Sequence, residues 1–398
     1  MTDAEHRTVD ADHRTADAER DRVRVLMCPD YTESNPYQSE LIDALADRDV
    51  DVTPVAVRGA FPLLSAARRH GVPDVVHLHW AHRFLITERR FPAVLAAALG
   101  VRLLFEACVL RALGARLVWT VHNLADHERR APRVELAVRR GLAAVVHRLV
   151  VHCDAAAASV RETYGLPNRV ARRIRVVPHG NFAGVYPDDV TREEARRRLD
   201  LPEDVPVLLY FGLIRPYKNV PSLADTFRET DLDARLLVVG NPWSDALDRE
   251  VRAACDGDDR IRAVLEYVPD DEVQRYMRAA DAVVLPFDSV LTSGSAVLAM
   301  TFGRAVVAPE LGCLPGLVGS AGGHLYDPEE PEGLADALRR AVADADQLGS
   351  MGRRNRAVAR RLDWGRIADR TRAVYRDAAL VGANRIGGDD GDAEPSPT

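Results

Sequence analysis

Lysine is almost absent from this chain. Of its 53 basic residues only Lys218 is a lysine, and all the others are arginine. A G+C-rich coding bias accounts for the majority, which makes the exception informative. Lys218 closes the stretch Phe211-Gly212-Leu213-Ile214-Arg215-Pro216-Tyr217-Lys218, directly after an apolar run that begins at Val205. Lysine is a compact ammonium on a flexible stem, whereas arginine is a wide planar fork. A crowded diphosphate selects the first, and the competing reading is a surface lysine that drift has left in place.

Other scarcities narrow the class. The five cysteines (Cys28, Cys108, Cys153, Cys255, Cys313) are scattered, odd in number and form no C-x-x-C pair. That suits a reducing compartment and excludes a cysteine-built zinc site. Residues 1–20 have no apolar core of the signal-peptide kind, so secretion is not expected and a cytoplasmic location is. There is no G-x-x-x-x-G-K-[ST], and no G-x-G-x-x-G after the first strand, so neither a P-loop nor a standard NAD site is supported. A net charge of −7 argues against a general nucleic-acid binder. The most apolar segment, Phe91–Leu113, contains Arg102, Glu106 and Arg111, charges that are costly in a bilayer. It reads as a core helix pair. The alternative is an interfacial surface with Arg83, Arg89, Arg90, Arg102 and Arg111, peripheral on an anionic membrane, where a lipid-linked acceptor is reached.

What is present fits two globular domains. The chain has 398 residues, 47% of them hydrophobic and 28% charged, more than one typical core accommodates. Strands are expected at Val23–Met27, Val52–Val57, Val75–Leu78, Arg116–Thr120, Arg148–His152 and Ile174–Val177. A second set is expected at Val205–Phe211, Arg235–Val239, Ile261–Leu265, Ala282–Leu285 and Ala305–Ala308. Helices such as Pro36–Asp47 and Arg133–Ala143 fill the intervals. Several runs are apolar at consecutive positions, as strands buried on both faces must be. Strand–helix alternation of this kind implies two doubly wound parallel sheets, an α/β architecture. Residues 1–21 read as a disordered leader and 383–398 as a disordered acidic tail.

Ligands of such sheets bind beyond the carboxyl ends of the strands. After Val205–Phe211 come Gly212, Arg215 and Lys218. After Ala282–Leu285 come Thr292, Ser293, Gly294 and Ser295, which open a helix and offer free N–H groups, hydroxyls and the positive dipole end. A plain N-cap is the bland reading of that cluster; beside Arg215 and Lys218, a diphosphate is the better one. Asp270-Asp271 precedes a helix and reads as capping, so no metal is expected. In the first half, nine of the twelve histidines lie between His70 and His179. His77-x-His79-x-x-His82 has a metal-like spacing but no partner cluster to complete a ligand set. His122 stands after the fourth strand with Asn123, Asp126, His127 and Glu128. Asn35-Pro36 reads as an N-cap followed by proline at the first helical position.

These residues carry a resemblance. Phe211-Gly212-x-Ile214-Arg215-x-Tyr217-Lys218-Asn219, Tyr276-Met277-x-x-Ala280-Asp281-x-Val283-Val284-Leu285-Pro286-Phe287 and Ser293-Gly294…Gly303-Arg304-Ala305-Val306-Val307-Ala308 resemble the C-terminal half of the group 1 glycosyltransferases, GT-B enzymes akin to glycosyltransferase family 4. Ser34-Asn35-Pro36-Tyr37-Gln38, His77-Leu78-His79-Trp80, Val118-Trp119-Thr120-Val121-His122-Asn123-Leu124 and Val177-Pro178-His179-Gly180-Asn181 resemble acceptor-domain segments of the same group. The resemblance implies the GT-B fold, two doubly wound Rossmann-like domains facing a central cleft. It places an acceptor domain at 22–184, a nucleotide-sugar domain at 185–363, and a helix over 364–382 crossing back to the first domain.

The implied activity is transfer of a hexosyl group from a nucleoside-diphosphate sugar to a glycan or lipid-linked glycan, with no cofactor besides the donor. Arg215 and Lys218 would neutralise the departing diphosphate, and Val268 would set the donor's base against backbone. His122 would touch the transferred sugar, and Asp126 or Glu128 would serve as base if the anomeric centre inverts. Many members carry two glutamates eight positions apart where this chain has Val290 and Leu298, so it is closer to the Ser-Gly branch that lacks the pair. Two alternatives stay open, a GT-B nucleotide-sugar epimerase and a catalytically silent GT-B scaffold.

Overall fold

The computed structural model describes residues 22–85, 92–126 and 131–383. The described residues divide into two compact units, the first comprising 22–85, 92–126, 131–151, 160–177 and 367–383 and the second 152–159 and 178–366.

The first unit holds a six-stranded parallel sheet. Its strands are β1 (Val23–Cys28), β2 (Val50–Pro54), β3 (Val75–Leu78), β4 (Arg116–Thr120), β5 (Arg148–Val151) and β6 (Ile174–Val176), in the order β2-β1-β3-β4-β5-β6. The chain winds one way from β1 to β2 and then the other way from β3 onward. The order therefore reverses between β1 and β3, and the loops beyond their carboxyl ends splay apart there.

The second unit repeats the plan with β7 (Val207–Phe211), β8 (Arg235–Val239), β9 (Ile261–Val264), β10 (Ala282–Val284), β11 (Ala305–Pro309) and β12 (Gly323–Tyr326), ordered β12-β11-β10-β7-β8-β9. Here the reversal falls between β7 and β10. All five residues of β7 and all five of β11 are buried, which explains why these strands read as unbroken apolar runs and not as alternating ones.

Three sequence expectations need correction. The eleven expected strands are present with ends shifted by at most three residues, but β12 is an addition to them. Its Gly-His-Leu-Tyr sequence lacks the β-branched run that marks a strand. Phe91–Leu113 is not a helix pair: it contains one continuous helix, Pro92–Ala112. The cysteines are not all unpaired either, because Cys153 and Cys313 form a disulfide with Cα atoms 5.8 Å apart.

The Pro92–Ala112 helix shows how this chain hides charge. Glu106 is fully buried and accepts the backbone N–H groups of Leu63 (2.9 Å) and Leu64 (3.1 Å). The Pro62–His70 helix has no side-chain cap of its own, so a carboxylate from the neighbouring helix satisfies its orphan donors. Burial pushes the Glu106 carboxyl up, against those two hydrogen bonds and Arg102, which pull it down. The opposite face of the helix is open. Val94, Val101, Phe105 and Cys108 recur at intervals of three, four or seven residues and are all exposed, with Phe61 edge-on to Phe105.

Candidate active site

Two polar constellations form where the sheet orders reverse, one in each unit.

In the second unit the chain leaves β7 through Gly212, whose φ of +125° favours glycine. A Cβ placed there would lie 3.4 Å from Ser295 Oγ and 3.7 Å from Lys218 Nζ, so both polar ends face one small space over the Gly212 backbone. The loop is held from below. The Gly212 N–H donates to Val239 O, and a Cβ on Gly240 would fall 1.9 Å from Gly212 O. Pro216–Lys218 forms a single 3-10 turn closed by the Lys218 N–H on Arg215 O, and Asn219 comes next in the left-handed region. Lys218 is half-buried, and burial followed by the charge of Arg215 holds its ammonium down to about 8. The Arg215 guanidinium lies 3.8 Å from the centroid of the Trp243 ring.

The loop after β10 supplies the other wall. The helix Gly294–Thr301 starts there, and Ser293 is its N-cap, its Oγ accepting the Ala296 N–H at 3.1 Å. The Thr-Ser-Gly-Ser cluster thus divides its labour. Ser293 is consumed as a cap, Ser295 brings its hydroxyl over Gly212, and Gly294 puts no side chain in the way. Thr292 and Val268 are half-buried, the latter packed on the core. Asp270 and Asp271 do not cap the next helix; its N-cap is Glu272, which makes no side-chain cap bond.

One neighbour escapes the sequence-based site. A Cβ on Gly294 would sit 3.7 Å from His179 Nε2. His179 Nδ1 donates to Gly180 O at 2.7 Å, so in the neutral ring Nε2 is the lone-pair nitrogen. Burial lowers the imidazole to about 4, with the Gly180 carbonyl opposing, so it is neutral at physiological pH. In the sequence this histidine belongs to the Val177–Asn181 segment just after a strand, which reads as an acceptor-side segment and not as part of the donor loops.

In the first unit, the loops after β1, β3 and β4 build an aromatic box. Asn35 caps the Pro36–Ala46 helix, its Oδ1 accepting the Tyr37 N–H at 3.1 Å. His122 is buried, with Trp80 stacked on it at 4.4 Å and 9° and Tyr37 edge-on at 5.2 Å. His122 Nε2 and His79 Nδ1 are 2.9 Å apart; one must donate and the other accept, so the pair holds its bond only while one of those nitrogens is unprotonated. Behind them His77 bridges Tyr375 Oη (2.8 Å) and Thr120 Oγ1 (2.7 Å). Burial and then His122 lower His77 to about 3. His77 and His79 of the metal-like spacing are therefore engaged in a hydrogen-bonded stack. Trp80 is held at φ 32°, ψ 57°, a costly conformation for a bulky residue that marks functional segments. Asp126 is half-buried, its backbone N–H bound by both Glu135 oxygens. His127 and Glu128 lie outside the described residues, as do Arg89 and Arg90.

Comparison with known proteins decides the family. A GDP-mannose:glycolipid 4-beta-D-mannosyltransferase of Xanthomonas campestris pv. campestris is 30% identical over 364 residues, covering 90% of this chain and 91% of that one. The chain belongs to the group 1 glycosyltransferases. The family model for glycosyl transferases group 1 matches residues 205–344 of the enzyme, the span that contains the Gly212–Lys218 and Thr292–Ser295 loops. A D-inositol 3-phosphate glycosyltransferase of Nocardioides sp. is also 30% identical, over 292 residues, 67% of this chain and 63% of that one. Among solved structures, a sucrose-phosphate synthase from Thermosynechococcus elongatus superposes with a TM-score of 0.70 at 20% identity, covering 91% of this chain and 100% of the other. The fold is GT-B, and this group 1 glycosyltransferase is a nucleotide-sugar-dependent enzyme.

Proposed function

We propose that the enzyme moves a hexosyl group from a nucleoside-diphosphate sugar to a glycan or lipid-linked glycan acceptor. The observation that carries this reading is the convergence of Lys218 Nζ and Ser295 Oγ over the Gly212 backbone. A departing diphosphate gains negative charge as the glycosidic bond to it breaks. A fixed ammonium, a hydroxyl and the N-terminus of an eight-residue helix are in place before that charge develops, and such preorganisation contributes several kcal/mol. Arg215 adds a second cation. This set meets the phosphate charge without a divalent ion, and we take the enzyme to be metal-independent; loss of turnover in a chelator with recovery on adding Mn²⁺ or Mg²⁺ would refute that.

We assign the contact with the transferred sugar to His122, which Trp80, Tyr37 and His79 pack against. Asp126 or Glu128 is the carboxylate we assign to accept the acceptor proton in an inverting reaction. Product analysis by NMR tests the assignment, since a retained anomeric configuration removes the need for a base. The Xanthomonas relative is named for GDP-mannose and a glycolipid, which makes GDP-mannose the first donor to try. A lipid-linked acceptor also gives the exposed apolar face of the Pro92–Ala112 helix a use, as a peripheral contact with an anionic membrane.

The deciding experiment is a thermal-shift panel of GDP-, UDP- and dTDP-sugars followed by turnover of the best binder. We expect stabilisation by one nucleotide class and product only when an acceptor is supplied. Release of an altered free sugar from donor alone would replace transfer with epimerisation. No shift from any member would sink the donor site.

A further inference from the structure

Trp243 is a large apolar ring left 54% exposed, and the core gains little from it. Its setting is nonetheless tightly built. The Ile214 N–H donates to Asn241 O at 2.9 Å, the Trp243 N–H returns to Ile214 O at 2.9 Å, and Ile214 bridges Pro242. Those bonds lace the loop after β8 to the loop after β7, so that Trp243 arrives alongside the residue after Ile214, which is Arg215. On its other side Ser244 caps the next helix by accepting the Leu247 N–H. Pro242 before and the cap after fix the backbone that carries the indole, and its face meets the Arg215 guanidinium at 3.8 Å.

A guanidinium stacked on an aromatic face keeps all its N–H donors in its own plane, around its edge. Stacking therefore fixes the direction of the donors without itself consuming any of them. We propose that Trp243 is a positioning residue that holds Arg215 flat, so that its N–H edge is presented in a fixed direction to the donor diphosphate beside Lys218. The proposal rests on the donor-site reading of Arg215 and Lys218, and adds a residue that touches neither sugar nor phosphate. A freely rotating arginine would lose side-chain entropy on each binding event, and here that cost is met in folding.

The test compares Trp243→Ala, Trp243→Leu, Trp243→Phe and Arg215→Ala in the full chain. Calorimetry with the nucleoside diphosphate preferred in the panel gives affinity, and circular dichroism checks the fold. Trp243→Ala and Trp243→Leu should weaken binding up to ~10-fold, about what ordering one long side chain at each binding event costs, while Trp243→Phe retains most of the affinity. A second readout separates positioning from support. Burial and then Arg215 hold Lys218 down; release of Arg215 removes the second influence, so the alkaline limb of the pH–rate profile should move upward in Trp243→Ala. Leucine performing as well as phenylalanine, or an unmoved alkaline limb, overturns the proposal. If Arg215→Ala binds as wild type, the donor-site reading itself falls. If Arg215→Ala weakens binding and Trp243→Ala does not, only the stacking role falls.

Discussion

Lys218 is a charge placed where the empty protein disfavours it. Burial and Arg215 both press toward the neutral amine, holding the pKa at about 8 against an ordinary lysine value above 10. Its folded value is below its unfolded value, so the fold gains stability as pH rises from about 8 toward 10.5 and bears the full cost of the charge below about 8. Function has the opposite dependence, because the ammonium that stabilises a diphosphate is lost as pH rises through about 8. The ratio kcat/KM, which reports the free enzyme, should accordingly fall on the alkaline side with an apparent midpoint near 8. Lys218→Met should melt higher than wild type at neutral pH while losing ~10²-fold or more in turnover; Lys218→Arg, keeping charge but not shape, should also be impaired. A midpoint shifted to that of an ordinary lysine, with a fully active arginine variant, would remove the phosphate role. Lys218 is legible in the sequence because it is unique and stands after a strand. His179 is not, because its meaning depends on lying against Gly294, a contact that only the folded chain creates.

At the scale of elements, the reversal of strand order accounts for where the polar groups gather. Both orders turn back after the first strand pairings of their unit, and the loops after β1, β3, β7 and β10 are the ones that carry Asn35, His79–Trp80, Gly212–Lys218 and Thr292–Ser295. The existence of the strands is readable from apolar runs, and the chemistry from the polar residues just beyond their ends. The roles of the charges on the Pro92–Ala112 helix are not readable, because sequence cannot say which side chain caps a neighbour. Arg102 lies 3.8 Å from Glu106, and Arg111 donates to Val145 O, so both arginines are turned to protein partners. The exposed arginines nearby in the chain include Arg68, Arg69 and Arg83. Glu106→Ala should therefore cost ~2 kcal/mol in urea unfolding, the penalty of orphaning buried donors, with Glu106→Gln milder. Membrane contact is tested on the other face. Co-sedimentation with anionic vesicles at low salt should be lost in Phe105→Glu and in high salt; equal binding by that variant would leave the exposed stripe without a lipid role.

Over the whole molecule, the Cys153–Cys313 bond joins positions 160 apart in sequence. Closing a loop of that length restricts the unfolded chain by about 5 kcal/mol in the chain-entropy account. A reductant should lower the thermal midpoint, and Cys153→Ser should melt with the reduced protein and ignore reductant; a midpoint unmoved by reductant would mean that the bond does not form in solution. The sequence conceals this pair because spacing says nothing about which distant cysteines meet. The scarcity of lysine has a consequence at the same scale. A chain whose other side-chain cations are arginines presents one side-chain primary amine to acylating or reductively methylating reagents, besides its amino terminus. That amine is also less basic than usual, so near neutral pH more of it is in the nucleophilic form. A ¹³C-methyl group installed there would be a single resonance at the centre of the donor loop, and its chemical shift would report occupancy by a nucleotide without any mutation at all.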